Sequence, residues 1–122
     1  MELNVRQVMV GSTHVLHVRG EIDLGTLPLL HGALMKFTNA NPGIDLVVDL
    51  DGVSACDDAG LGVLLGAAGR TRETAADLVV LCSGGSLRSR LARTGFDRAV
   101  RVIDSLNLAS DRSDQSNQGA QG

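Results

Sequence analysis

The residues best placed to do chemistry form one short run, Asp57-Asp58-Ala59-Gly60-Leu61-Gly62, with Asp23 as a second acidic position and Cys56 and Cys82 as the two cysteines. A carboxylate just before a helix can accept the helix's free N–H groups and suits the positive end of its dipole, contributing about 0.5–2 kcal/mol. One of the adjacent pair is then available to a partner. The expectation is that Asp58 caps and Asp57 packs into the loop. Gly60 and Gly62 each cost roughly 1 kcal/mol against alanine within a helix. A fold tolerates that best where a surface must stay flat for close approach, here a face framed by Asp23 and Leu61. Asp23 follows a strand and precedes a helix, so turn formation explains it as readily as a contact does. Cys56 and Cys82 read as small apolar fillers or as a redox pair at one sheet edge. At their spacing they cannot build a metal cluster with each other.

Other chemistries lack their residues. His14 and His17 lie three apart on a strand and face opposite sides, while His31 sits on a helix beside Leu30, so no Ser-His-Asp set is assembled. A phosphate loop needs a Gly-Lys pair, and no Gly-Lys or G-x-G-x-x-G motif occurs. Gly84-Gly85-Ser86 reads as a turn and helix cap rather than an anion cradle. A receiver-like domain would want an acidic pair closing the first strand and a lysine closing the fifth. Here the first strand ends in Val10-Gly11, and the single lysine, Lys36, falls in the first helix. No cofactor and no metal are expected.

The elements that must position these residues follow from periodicity. Strands are expected over residues 4–10 and 15–21, joined at Gly11-Ser12-Thr13 as a hairpin. Leu27, Leu30, Leu34 and Phe37 then mark one apolar stripe of a helix over 27–39, with Thr26 as its cap. A strand over 44–50, a loop over 51–58 and a helix over 59–71 follow. A fully apolar strand over 78–82 reads as buried on both faces. A helix over 87–94 with Ser86 as its cap, a strand over 100–103 and a short last helix around 105–108 complete the order β-β-α-β-α-β-α-β-(α). That order predicts an α/β fold with a mostly parallel sheet and ligands or partners at the strands' C-terminal ends.

Composition agrees with one such domain. The chain has 122 residues, 43% hydrophobic and 20% charged, enough for one core without staples. Its net charge of -3 and 2% aromatic content leave neither a basic face nor a stacking surface for nucleic acid. No apolar run is long enough to span a membrane, and no secretory leader is visible, so a cytoplasmic protein with reduced thiols is expected. Residues 109–122 carry almost no apolar side chains and are expected to form a disordered polar tail, leaving 1–108 as the domain.

The stretch Val53-Ser54-Ala55-Cys56-Asp57-Asp58-Ala59-Gly60-Leu61-Gly62 resembles the signature of STAS domains, and within them the bacterial anti-sigma factor antagonists. Asp57, Gly60, Leu61 and Gly62 match it, and Gly20-Glu21-Ile22-Asp23 matches a second landmark at the end of the second strand. The resemblance implies a STAS fold over 1–108 and a non-enzymatic protein. Such a protein binds an anti-sigma factor of kinase-like fold, here through Asp23 and the segment Asp57, Asp58, Ala59, Gly60, Leu61 and Gly62, and so frees a sigma factor. In that family the partner kinase phosphorylates the second hydroxyl residue of the signature. The position falls on Ala59, whose methyl group cannot accept a phosphoryl group. The protein is then a constitutive antagonist, or Asp58 imitates the phosphorylated state, or control lies at Ser54, at the cysteines or in abundance. Mimicry is the weaker reading, because a carboxylate carries less charge than a phosphate and a neighbouring helical position points about 100° away. A STAS module of another signalling or transport assembly, or one that senses a small molecule or nucleotide, stays open beside the antagonist reading.

Overall fold

Strand residues that alternate between two apolar faces need cover on both sides, and the chain supplies it unequally. The computed structural model describes residues 2–107. It contains β1 (Leu3–Val10), β2 (Thr13–Ile22), α1 (Leu27–Ala40), β3 (Leu46–Cys56), α2 (Asp58–Glu73), β4 (Leu78–Leu81), α3 (Gly85–Arg93), α4 (Phe96–Ala99) and β5 (Val102–Ile103). The five strands lie in the order β1-β2-β3-β4-β5. β1 and β2 are antiparallel, and each later neighbour is parallel. Each crossover steps one strand in the same direction, so right-handed connections put every helix on the same face.

That face holds the main core. Leu16, Val18 and Ile22 of β2, Val48 and Leu50 of β3 and Val80 of β4 meet Leu30, Leu34 and Phe37 of α1 and Leu61, Leu64, Ala67 and Ala68 of α2. Leu91 and Phe96 bring α3 and α4 into it. The alternate strand positions, Val15, Val47, Val79, Leu81 and Ile103, form a second buried cluster on the other face, with Val8 and Leu106 packed against it. Two-sided burial is why β4 is apolar without alternation.

Several boundaries differ from the sequence reading. β3 does not stop at residue 50: it runs on to Cys56, through the segment expected to be a loop. The extension is held by backbone pairing to β2, with Gly20 opposite Val53, Glu21 opposite Ala55 and Ile22 opposite Cys56. Asp51, Gly52, Ser54 and Ala55 stay exposed, so no hydrophobic alternation announces it. Register shifts accompany the extension. A Cβ on Gly52 would come 2.7 Å from Arg19 Cγ, so the irregular pairing needs glycine there. Gly20 has φ +111°, and a Cβ on it would come 2.2 Å from the Glu2 carbonyl oxygen.

α3 begins at Gly85 with Gly84 at its N-cap position, so Ser86 lies inside the helix and is not its cap. Gly95, at φ +80°, separates α3 from α4, a short helix anchored by buried Phe96 where the sequence suggested only a link. β5 starts at Val102 rather than Val100, which is consumed closing α4. Residues 106–107 are helical, Ser105 lies in the bend before them, and residue 108 with the polar tail lies outside the described residues.

Candidate functional site

Parallel strands that end side by side must release their following loops side by side. Ile22 and Cys56 are the last paired residues of β2 and β3, so Asp23 and Asp57 emerge together at the C-terminal rim of the sheet. The Asp57 N–H donates to the Ile22 carbonyl at 2.9 Å and locks the two exits. Asp23, Leu24, Gly25, Thr26 and Asp57 then line one open depression.

The Asp23 turn is fixed by reciprocal bonds. Thr26 Oγ1 accepts from the Asp23 N–H at 2.9 Å and donates to the Glu21 carbonyl at 2.8 Å, while Asp23 Oδ1 accepts from the Thr26 N–H at 3.1 Å. Thr26 occupies the N-cap position of α1, but its side chain makes no capping bond, because the hydroxyl is spent on this turn. Asp23 Oδ2 is buried without a hydrogen-bond partner. Leu24, next in the turn, is 76% exposed, the most exposed of the large hydrophobic residues described.

The expected division of labour between Asp57 and Asp58 is reversed in position. Asp57 occupies the N-cap of α2 in extended conformation, and its carbonyl accepts from the Gly60 N–H at 2.9 Å. Its side chain makes no capping bond. Asp58 is the first helical residue, and its side chain, 88% exposed, pairs with the Arg90 guanidinium of α3. Arg90 also donates to the Cys56 carbonyl. The sequence reading missed Arg90 because the contact spans 32 residues and no periodicity relates the two positions.

The flat face is smaller than glycine spacing suggested. Gly60 points inward: a Cβ there would sit 2.5 Å from Ile22 Cγ2 and 3.0 Å from Cys56 Sγ. Gly60 therefore lets α2 approach the strand ends. Leu61 is 5% exposed and belongs to the core, so it contributes only to the floor of the groove beside Asp58 and Gly62 rather than framing the face. Asp57, Asp58, Ala59 and Gly62 face outward, and a Cβ on Gly62 would meet nothing within 4 Å. Exposed Leu65, one turn further on, lines a shallow apolar groove with Gly62 and Phe96. Leu24 and Leu65 thus take the flanking place expected for Leu61. A leucine inside the Asp23 turn was the available signal for Leu24; periodicity puts Leu65 on the same face as Leu61, Leu64 and Ala68, and only the fold leaves it exposed.

Cys56 and Cys82 are both free and buried. Burial pushes the Cys56 thiol up to about 11; Arg90 opposes that, and Asp57 and Asp58 add to it. Burial also raises Cys82. A reactive thiol needs the opposite environment, exposed and electropositive, so these surroundings favour the filler role. Among the described residues, no group of three or more His, Cys, Asp or Glu is disposed to hold a metal, and no helix is long and apolar enough to cross a membrane.

A mostly parallel sheet with a hairpin edge, one helical layer and an acidic helix start at the rim define a STAS-type α/β domain. The STAS domain profile matches residues 5–109, and the chain belongs to that family. A curated relative, the anti-sigma-B factor antagonist of Listeria monocytogenes, is 33% identical over 87 residues, 71% of this chain and 75% of its own length. The crystal structure of an anti-sigma factor antagonist from Mycobacterium paratuberculosis superposes with a TM-score of 0.80 at 26% identity, covering 91% of this chain and 93% of that one. The anti-sigma factor antagonist SpoIIAA from Bacillus, in its unphosphorylated form, has the same fold, with a TM-score of 0.68 at 19% identity over 90% of this chain and 97% of the other.

Proposed function

We propose that this chain is an anti-sigma factor antagonist of the cytoplasm, which binds an anti-sigma factor of kinase-like fold and so frees a sigma factor. Its docking surface is the rim formed by Asp23, Leu24, Asp57, Asp58, Ala59 and Gly62. The protein carries out no catalysis of its own. The observation that carries the reading is the exposed Ala59, second residue of α2, directly after the exposed Asp57 and Asp58 at the rim where Asp57 meets the Asp23 turn. The names of the 33% and 26% identical relatives support the same reading. Because a methyl group offers no oxygen to a phosphoryl donor, a partner kinase cannot release itself by modifying this position. Binding is then constitutive at Ala59.

The test is a titration of the purified kinase-type anti-sigma factor with this protein, together with incubation in labelled ATP. Wild type binds and stays unlabelled at residue 59, while Ala59→Ser becomes labelled. Ala59→Glu places an anion inside the contact and weakens binding at least about tenfold. Undiminished affinity of Ala59→Glu refutes the surface, and no binding by wild type refutes the function.

A further inference from the structure

The first turn of α2 carries an anion that its surroundings do not suit. Asp58 stands next to Ala59 with its carboxylate 88% exposed, on a surface flanked by exposed Leu24 and Leu65 and flattened at Gly62. A partner that covers those leucines also strips water from Asp58. An unpaired carboxylate resists such burial strongly, whereas one already held by a guanidinium can be covered.

Arg90 supplies that guanidinium from α3. One terminal nitrogen meets Asp58 Oδ1, and the other meets the Cys56 carbonyl at the end of β3. The planar fork therefore bridges the strand end and the helix start, and its side chain is itself 27% exposed. The cluster is electrostatically coupled: the Cys56 thiol feels Arg90 in one sense and Asp57 and Asp58 in the other. With Arg90 in place, two carboxylates stand against one guanidinium. Without it, both stand bare beside Ala59.

We propose that Arg90 is a positioning residue for the docking surface: it holds Asp58 in an ion pair so that the partner can cover the α2 start without burying a lone charge. This rests on the proposed antagonist function and adds the internal device that keeps the surface competent. Asp58 is then not an imitation of a phosphorylated residue, because its charge is answered from within the domain.

The experiment is a double-mutant cycle on the full chain, with affinity for the purified anti-sigma factor measured by calorimetry and folding checked by thermal unfolding. Arg90→Gln weakens binding on the order of tenfold. Asp58→Asn supplies the other single variant of the cycle, and its effect does not add to that of Arg90→Gln. The double variant Arg90→Gln/Asp58→Asn binds more tightly than Arg90→Gln alone, by about threefold or more. A role for Arg90 in holding only the Cys56 carbonyl predicts no such rescue. Affinity unchanged in Arg90→Gln, or a double variant as weak as Arg90→Gln, overturns the proposal while leaving the antagonist function standing. Absence of wild-type binding overturns both. Arg90→Lys, which keeps the charge without the fork, recovers part of the loss and guards against a folding defect in the glutamine variant.

Discussion

Replacing Gly60 and Gly62 by alanine separates two reasons for putting glycine in a helix. Alanine gains about 1 kcal/mol over glycine in a helix interior. At Gly62 nothing opposes that gain, since a Cβ would meet no atom within 4 Å. At Gly60 the new Cβ lands 2.5 Å from Ile22 Cγ2 and 3.0 Å from Cys56 Sγ. Ile22 is 1% exposed and lies on the last paired position of β2, so its methyl has no free direction. Overpacking of this kind costs typically 1–3 kcal/mol. After subtracting the propensity gain, Gly60→Ala should be destabilised by up to about 2 kcal/mol, or a melting temperature lower by up to about 10 °C for a domain of this size. Gly62→Ala should be more stable by up to about 1 kcal/mol, or about 4 °C. Urea and thermal unfolding followed by circular dichroism measure both. If the two variants shift in the same direction, the packing account of Gly60 is wrong.

Gly20→Ala should be worse than Gly60→Ala, because the position combines φ +111° with a Cβ 2.2 Å from the Glu2 carbonyl oxygen; loss of more than about 2 kcal/mol is expected in the same assays. Both thiols should react slowly with a disulfide reagent in native protein near neutral pH and at ordinary rates after urea unfolding, and fast native reaction would contradict their burial. Stability should also fall at alkaline pH. The folded Cys56 thiol is pushed up to about 11, above the ordinary value near 8.5, so its neutral form is favoured in the native state. The resulting stabilisation is fully present below about pH 8.5 and is lost as pH rises toward 11, roughly 3 kcal/mol in all. Unfolding of wild type and Cys56→Ala across that range should show the gap between them closing by that amount, and a constant gap would count against it.

The proposed docking surface also accounts for acidic and apolar residues sharing one rim. Leu24 is displayed by a turn that Asp23 and Thr26 brace from below, so the exposed side chain sits on a rigid support. Rigid, exposed apolar anchors with charges at their edge suit an interface that gains affinity from burial and orientation from charge.

The chain by itself determined the order of the strands and of the three longer helices, and the place of the acidic helix start. Leu27, Leu30, Leu34 and Phe37 repeat at helical spacing, β4 is apolar throughout, and Asp57 with Gly60 and Gly62 marks the start of α2; all are local patterns, set by neighbours a few residues away. Tertiary structure decided what those residues face. β3 reaches Cys56 because its backbone finds β2, a pairing that leaves no trace in side-chain polarity. Gly60 and Gly62 look alike in the sequence, yet one is pressed against Ile22 and the other is open to solvent. Leu61 continues the inner stripe instead of framing the surface, and Asp58 is answered by an arginine 32 residues on. Periodicity records the average polarity of an element's surroundings, whereas close approach and charge pairing depend on which atoms the fold brings together from elsewhere in the chain.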